Sequence, residues 1–146
     1  MIAADTNILV YAHRSDSEFH ADAAHALRLL AEGHAAWAIP WPCIHEFLSV
    51  ATNPRIYQPP STVREAVTQV EAWMGSPTLR IIGESAAYWT DLKGLLLAGR
   101  ILGAKVHDAR IAAICKSHGV KELWSADRDF SRMGGVRVTN PLVARR

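Results

Sequence analysis

Four acidic residues stand in four separate segments of the chain, each near the start or end of an expected strand or helix. They are Asp5, Glu46, Asp108 and Asp127. Carboxylates beside core-forming segments are costly unless another group pairs with them. Oxygen ligands from several convergent carboxylates suit a hard divalent cation, Mg²⁺ or Mn²⁺. The sequence therefore predicts a metal site built from these four residues.

The chemistry of such a site is phosphodiester hydrolysis, because a metal makes its bound water more acidic and offsets charge on the transition state. Thr6, Asn7 and Ser125 flank the acids and are predicted to hydrogen-bond to them. Asp129 competes with Asp127 for the fourth place. We expect Asp127 in the site, because it is nearer the end of its strand, and Asp129 as the cap of the next turn.

Each acid also has an ordinary structural explanation. A lone aspartate after a strand is usually a turn residue, and Asp108 at the start of a helix favours the helix dipole. His45 and Glu46 do not form a zinc-protease motif, because Ser49 stands where the second histidine would fall. The five tryptophans are spaced as core or interface residues, and we favour the core over stacking on a base. The metal site therefore depends on the four acids occurring together.

The elements that must position these residues alternate between strands and helices. Strands are predicted at 2–4, 35–39, 79–82 and 122–125, with a short edge strand at 136–138. Helices are predicted at 8–13, from the capping segment 15–17 to 32, at 43–51, from the cap 61–62 to 74, at 85–98 and at 106–118. This alternation predicts an α/β fold with a largely parallel sheet. Ligands of such sheets bind beyond the carboxyl ends of the strands, where one cleft can collect all four acids.

The bulk composition is that of one globular domain, residues 1–146. Hydrophobic residues make up 49% and charged residues 21% of the chain, enough apolar surface for a core. We expect no membrane span and no signal peptide, because no apolar run is long enough and the first residues carry no basic stretch. Two cysteines are too few for a disulfide framework and suit a reducing cytoplasm, which is the expected location.

The charge is unevenly distributed along the chain. Residues 1–90 contain 5 basic and 9 acidic side chains, whereas residues 91–146 contain 11 and 5. Two interpretations stay open: solvated helix faces, or a basic rim that steers a polyanion to the acidic site. The candidate residues for binding such a polyanion are Lys105, Arg110, Lys116 and Arg128. Arg110 has an alternative role as the partner of a site carboxylate.

The motifs resemble those of PIN-domain proteins, and specifically VapC-type toxin ribonucleases. The resemblance rests on the segments 5–7, 42–50, 53–55, 107–113, 125–130 and 140–142, in that order along nearly the whole chain. It implies a three-layer α/β/α sandwich with a mainly parallel central sheet. It also implies a Mg²⁺- or Mn²⁺-dependent endoribonuclease, a homodimer, and a cognate antitoxin that blocks the acidic cleft.

Carried over by residue, Asp5, Glu46 and Asp108 match the family's three principal acids, and Asp127 matches its more variable fourth. Thr6 and Asn7 match the polar residues of the first motif. Ser125 stands where the family commonly has threonine, so the hydroxyl is kept.

Three alternatives to a toxin ribonuclease stay open. One is a housekeeping PIN nuclease without an antitoxin, and another is a catalytically silent RNA-binding module. The third is a phosphatase with an aspartyl nucleophile, which is disfavoured because Asn7 stands where a second aspartate is expected. A neighbouring gene for a small DNA-binding protein would distinguish a toxin from a housekeeping nuclease. A metal titration would distinguish an active enzyme from a silent RNA-binding module.

Overall fold

A computed structural model of the protein describes residues 1–143, apart from the side chains of residues 131 and 132. The strands are β1 (Ile2–Ala4), β2 (Trp37–Pro40), β3 (Leu79–Ile82), β4 (Glu122–Trp124) and β5 (Arg137–Thr139). The α-helices are α1 (Thr6–His13), α2 (His20–Glu32), α3 (Trp41–Ala51), α4 (Val63–Met74), α5 (Tyr88–Gly99) and α6 (Lys105–Ser117). A 3₁₀ helix spans Arg128–Arg132.

The five strands form one sheet in the order β3-β2-β1-β4-β5, and every pairing is parallel. The predicted α/β class with a parallel central sheet is confirmed. β1 lies in the middle, so the residue that follows it emerges at the centre of the carboxyl edge. β5 lies at the edge, as its short apolar run predicts.

Helix starts account for most differences between prediction and structure. The helix expected to begin at residues 15–17 begins instead at His20, because the hydroxyl of Ser17 accepts from the backbone N–H of Phe19 and Asp16 pairs with Arg14. The helix expected from Ser85 begins at Tyr88. α4 follows its prediction: Thr62 and Glu65 form a capping box, each side chain accepting from the other's backbone.

The core lies between the sheet and its helices. Leu9 of α1, Phe47 of α3 and Ile114 of α6 are fully buried, and the edge of the Phe47 ring meets Trp73, with 4.8 Å between centroids. Trp37, Trp73 and Trp124 are in the core as predicted, whereas Trp41 and Trp89 are exposed, so the core expectation is wrong for those two. Within the described part of the chain, every helix is too short or too polar to span a bilayer.

Candidate active site

Asp5 is a buried acid at the centre of the carboxyl edge of the sheet. It directly follows β1, and only 4% of its surface is exposed. Burial raises the pKa of this carboxyl from its ordinary value of 3.8 to about 6, although donors from Ser125, the Thr6 backbone and Cys43 partly oppose the shift. The ionised form of Asp5 is therefore unfavourable unless a cation lies nearby, because burial removes the water that would solvate its charge.

Strand register explains how Ser125 reaches Asp5. Ala4 pairs with Trp124 in the parallel ladder, so the residues that follow them stand side by side where the two strands end. The backbone N–H of Asp5 donates to the carbonyl of Trp124 at 2.9 Å, and the Ser125 hydroxyl donates to Oδ2 of Asp5 at 2.7 Å. The predicted role of Ser125 as a hydrogen-bond partner of a site acid agrees with this contact.

Ser125 also connects the end of β4 to the start of α1. Its Oγ accepts from Nδ2 of Asn7 at 3.2 Å and from the backbone N–H of Asp127 at 3.0 Å. Oδ1 of Asn7 accepts from the backbone N–H of Ala126 at 3.1 Å. The two polar residues that the sequence placed beside the acids therefore fix the loop that carries the fourth acid.

Glu46 lies on α3 and is held from the first turn of α1. The hydroxyl of Thr6 donates to Oε2 of Glu46 at 2.9 Å. Thr6 is buried, so the contact is sheltered from water on one side. α3 begins directly after β2, which brings its second turn to the same edge of the sheet as Asp5.

Asp108 lies in the first turn of α6 and is half-buried. The pKa of its carboxyl is raised, first by burial and then by repulsion from Asp127, Glu46 and Asp129. Mutual repulsion of this kind requires the acids to be near one another. The helix dipole favours an anion at this position, but it does not cancel the shift.

Asp127 combines the two roles that the sequence divided between two residues. Its Oδ1 accepts from the backbone N–H of Asp129 at 2.9 Å and caps the 3₁₀ helix. The expectation that Asp129 caps this turn is therefore wrong, because Asp129 contributes its backbone N–H rather than its carboxylate. Asp127 also lines the cavity described next.

The four acids line one open cavity of about 310 Å³. Asp5, Glu46, Asp108 and Asp127 come from four segments, and Thr6 and Asn7 lie between them. The remaining wall is apolar or aromatic and consists of Val10, Tyr11, Val50, Tyr57, Ile111 and Phe130. A pocket with this lining offers oxygen ligands on one side and a packing surface on the other.

The donor set fits a divalent cation of the Mg²⁺ class, because hard ions prefer carboxylate oxygens. Among residues 1–143, no group of three or more His, Cys, Asp or Glu side chains stands ready to hold an ion. Protein donors already occupy oxygens of Asp5, Glu46 and Asp127, and the acids repel one another. Coordination by one or two carboxylates, with waters completing the shell, suits both this arrangement and Mg²⁺.

The basic residues differ in how they are placed. Arg110 donates from Nε and Nη2 to Oε1 of Glu84 at 3.0 and 2.7 Å, so its partner is not a site carboxylate. Lys116 lies 3.9 Å from Asp91. Lys105 and Asp129 line a second cavity, and Arg128 and Asp127 a third. Lys105 and Arg128 are therefore the two candidates that share a cavity with Asp129 or Asp127.

Sequence analysis missed three residues of the site. The thiol of Cys43 donates to Oδ1 of Asp5 at 3.5 Å. Burial raises the pKa of this thiol far above its usual range, so it stays protonated and serves as a donor. Tyr11 and Tyr57 line the acidic cavity. Tyr11 lies four residues after Asn7 on α1, a spacing that signals a shared helix face, whereas nothing in the loop sequence indicated Tyr57.

Comparison with known proteins gives a consistent assignment. The PIN domain family model matches residues 2–136. Ribonuclease VapC48 of Mycobacterium tuberculosis is 29% identical over 137 residues, covering 94% of both chains. Ribonuclease VapC43 of the same species is 31% identical over 142 residues, covering 97% of this chain and 96% of the relative. The fold is similar to that of a chain in the crystal structure of VapBC2 from Rickettsia felis bound to a promoter DNA fragment. The TM-score is 0.67 at 23% sequence identity, and the match covers 96% of this chain and 98% of that chain.

Proposed function

Since the chain belongs to the PIN domain family, we propose that it is a divalent-metal-dependent endoribonuclease and the toxin of a toxin–antitoxin pair. One observation carries the catalytic part of the proposal: four carboxylates from four segments line a single cavity. The names of its relatives, VapC48 and VapC43, support RNA as the substrate.

The charge of the cavity is the reason to propose a metal. A phosphodiester is an anion, and four carboxylates would repel it. The raised pKa values of Asp5 and Asp108 show that the acids themselves are crowded or desolvated without a cation. A bound Mg²⁺ or Mn²⁺ would offset this charge and make an attacking water more acidic. Asp5 and Asp108 are the acids we propose as its principal ligands, with Glu46 and Asp127 acting directly or through water.

The surrounding residues set the orientation of the acids. Thr6 holds one oxygen of Glu46, and Ser125 holds one oxygen of Asp5. The second oxygen of Glu46 stays available for a ligand or a water. Oδ1 of Asp5 accepts a 3.5 Å hydrogen bond from the Cys43 thiol and keeps a second lone pair for a ligand. Pre-oriented carboxylates lose little freedom when the substrate complex forms, which is how such contacts raise catalytic rates.

RNA cleavage by the purified protein tests the proposal. Total RNA is incubated with the protein plus Mg²⁺ or Mn²⁺, with excess EDTA in a parallel sample, and new ends are mapped. We expect cleavage only with metal, and a loss of orders of magnitude in Asp108→Asn. Asp22→Asn is the matched control, since Asp22 is exposed on α2 and does not line the cavity of the four acids. Full cleavage in EDTA would reject metal dependence, and metal binding without cleavage would favour a silent RNA-binding module.

An antitoxin is the second part of the proposal. It is supported by the VapC names of the relatives and by the similarity of this fold to a chain of VapBC2. We expect a small DNA-binding protein encoded beside this one to co-purify with it and to suppress RNA cleavage at an equimolar ratio. Unchanged cleavage in the presence of every adjacent gene product would instead favour a housekeeping nuclease.

We also propose a homodimer. Trp89 and Leu97 of α5 and Leu102 in the following connector are 62%, 73% and 81% exposed, an apolar exposure typical of surfaces that bind other chains. Light scattering should give twice the 16.0 kDa chain mass at micromolar concentration. Leu97→Glu should lower the mass to that of one chain while the far-UV circular dichroism spectrum stays that of the folded wild type. A single-chain mass for the wild type would contradict the proposal.

A further inference from the structure

We propose that Tyr57 stacks on one unpaired base of the RNA beside the cleaved phosphate, and that Arg14 holds the tyrosine ring in position for it. This inference depends on the proposed ribonuclease function and extends it, because it identifies a residue that contacts the substrate outside the acid set.

The shared cavity is the first support. Tyr57 and Tyr11 line the same space as the four acids, together with Val10 and Val50. Phosphodiester hydrolysis requires polar and charged groups, so the hydrolysis chemistry does not explain why this side of the cavity is apolar and aromatic. A nucleotide whose phosphate lies at the acids carries its base only a few bonds away. An aromatic ring gives such a base a flat surface to stack on.

Helix geometry connects the acids to this wall. Val10 and Tyr11 lie three and four residues after Asn7, and four and three residues before Arg14, so the four residues lie along one face of α1 and its C-cap. That face begins beside Asp5 and ends at Arg14, which is next to Tyr57. Helix α1 therefore fixes the distance between the acids and the apolar side of the cavity.

Arg14 is itself tightly held. Its Nε and Nη2 donate to the two carboxylate oxygens of Asp16 at 2.9 and 2.6 Å. Nη2 also donates to the carbonyl of Pro59 at 3.0 Å, and Nη1 to the hydroxyl of Ser61 at 3.3 Å. These contacts tie the loop between α3 and α4 to the end of α1. Arg14 therefore holds the part of the loop that follows Tyr57, at Pro59 and Ser61.

The guanidinium of Arg14 lies over the Tyr57 ring, with its central carbon 4.3 Å from the ring centroid. The cation covers one face of the ring, and the ring still borders the cavity. A base would take the opposite face, giving a cation–ring–base stack. Because the ring is already oriented, little side-chain freedom is lost on binding. Stacking tolerates every base, so Tyr57 should favour unpaired RNA rather than one sequence.

The test combines protein variants with altered substrates. Tyr57→Ala, Tyr57→Leu and Tyr57→Phe are compared with wild type on a single-stranded RNA oligonucleotide that the wild type cleaves once, with metal present. We expect Tyr57→Ala and Tyr57→Leu to raise KM by roughly 5- to 150-fold, the range for one stacked base, with a smaller change in kcat. Tyr57→Phe keeps the ring and should retain the wild-type KM. Tyr57→Leu keeps side-chain bulk should Tyr57→Ala fold poorly.

An abasic scan separates stacking from a structural role. A single abasic site is moved through the nucleotides around the cut. For the wild type, KM should rise at one position, and for Tyr57→Leu the same position should show no further rise. Asp16→Asn, which weakens the hold on Arg14, should raise KM only when Tyr57 is present.

Two failures can be told apart. If the wild type cleaves RNA but Tyr57→Leu keeps its KM and the same abasic profile, the stacking inference is overturned and the ribonuclease proposal stands. If the wild type cleaves no RNA with either metal, the proposed function is overturned, and this inference with it.

Discussion

The hydroxyl of Ser125 donates a 2.7 Å hydrogen bond to Oδ2 of Asp5, although 120 residues separate the two in the chain. This bond lowers the pKa of Asp5, so its loss in Ser125→Ala should raise that pKa further. We expect the acid limb of the pH–rate profile to move to higher pH. We also expect a loss of about 1–3 kcal/mol of stability, because the backbone N–H of Asp127 loses its acceptor.

Ser125→Thr is the control, since it keeps the hydroxyl. Its acid limb should coincide with that of the wild type. An unshifted limb in Ser125→Ala would show that the hydroxyl does not influence the ionisation of Asp5.

In the metal-free protein, Asp5 should contribute a loss of stability as pH rises through the range between 3.8 and about 6, its ordinary and folded pKa values. In that range the unfolded chain has released the proton that folded Asp5 still holds, so deprotonation favours unfolding. The pKa difference corresponds to a loss of about 3 kcal/mol in the free energy of unfolding, and the loss is complete above the folded pKa of Asp5. Urea unfolding in EDTA at pH 4.5 and 7 should show about 2 kcal/mol of this loss, because the remainder occurs below pH 4.5.

Asp5→Asn isolates this contribution from other titrating groups. The difference in unfolding free energy between Asp5→Asn and wild type should grow by about 2 kcal/mol from pH 4 to pH 7 in favour of the variant. A difference that is independent of pH would mean that Asp5 ionises at its ordinary value.

Asp127 and Asp129 should separate cleanly by substitution. Asp127→Asn removes the charge but keeps the Oδ1 that caps the 3₁₀ helix, so we expect weaker Mn²⁺ binding and slower cleavage at nearly unchanged stability. Asp127→Ala should additionally lose about 0.5–2 kcal/mol with the cap. Calorimetry and melting curves measure the two effects. If Asp129→Asn loses Mn²⁺ affinity while Asp127→Asn keeps it, Asp129 is the fourth site acid.

Divalent metal should stabilise the fold through Asp108. Binding to the native state alone adds about 2.7 kcal/mol at a hundredfold excess over Kd, or roughly 5–11 °C for a domain of this size. Asp108→Asn should lose most of this shift and should melt no lower than wild type in EDTA, because repulsion from Asp127 and Glu46 is relieved. Asp22→Asn should keep the shift. A wild-type melting curve indifferent to millimolar Mn²⁺ would argue against the site.

RNA binding should weaken as salt rises, and among Lys105, Arg110 and Lys116 the largest contribution to this dependence should come from Lys105. In an Asp108→Asn background, Lys105→Gln should reduce the log–log salt slope by about 0.7 for one lost phosphate contact. Lys116→Gln and Arg110→Gln should change it less, because acids on the same surface already neutralise these residues. Equal slopes in all three variants would identify the basic residues as a solvated face.

The sequence predicted the parts of this site that depend on strand ends. Asp5 and Ser125 follow strands, and parallel strands bring their carboxyl ends to one edge, so their meeting needs no knowledge of side-chain conformation. Turn chemistry was less predictable. Both Asp127 and Asp129 have the residue type for a cap, and only the backbone direction after Trp124 decides which carboxylate receives the N–H.

Tyr57 shows a different limit. It lies in a loop whose path depends on Arg14, and Arg14 reaches it from the end of α1, 43 positions earlier in the printed sequence. Local propensities contain no information about such a contact. The exposure of Trp89 was missed for a different reason: residue type alone favours burial of a tryptophan.

The central position of β1 has a consequence for when the protein becomes active. Asp5 is made first, but its partner Ser125 and the fourth acid Asp127 are made about 120 residues later. At a synthesis rate of about 5–20 residues per second, a nascent chain carries Asp5 for roughly 6–24 s before β4 can pair beside it. During that interval no complete acid set exists, so the ribosome that makes this chain is not exposed to its assembled site until translation has passed residue 127.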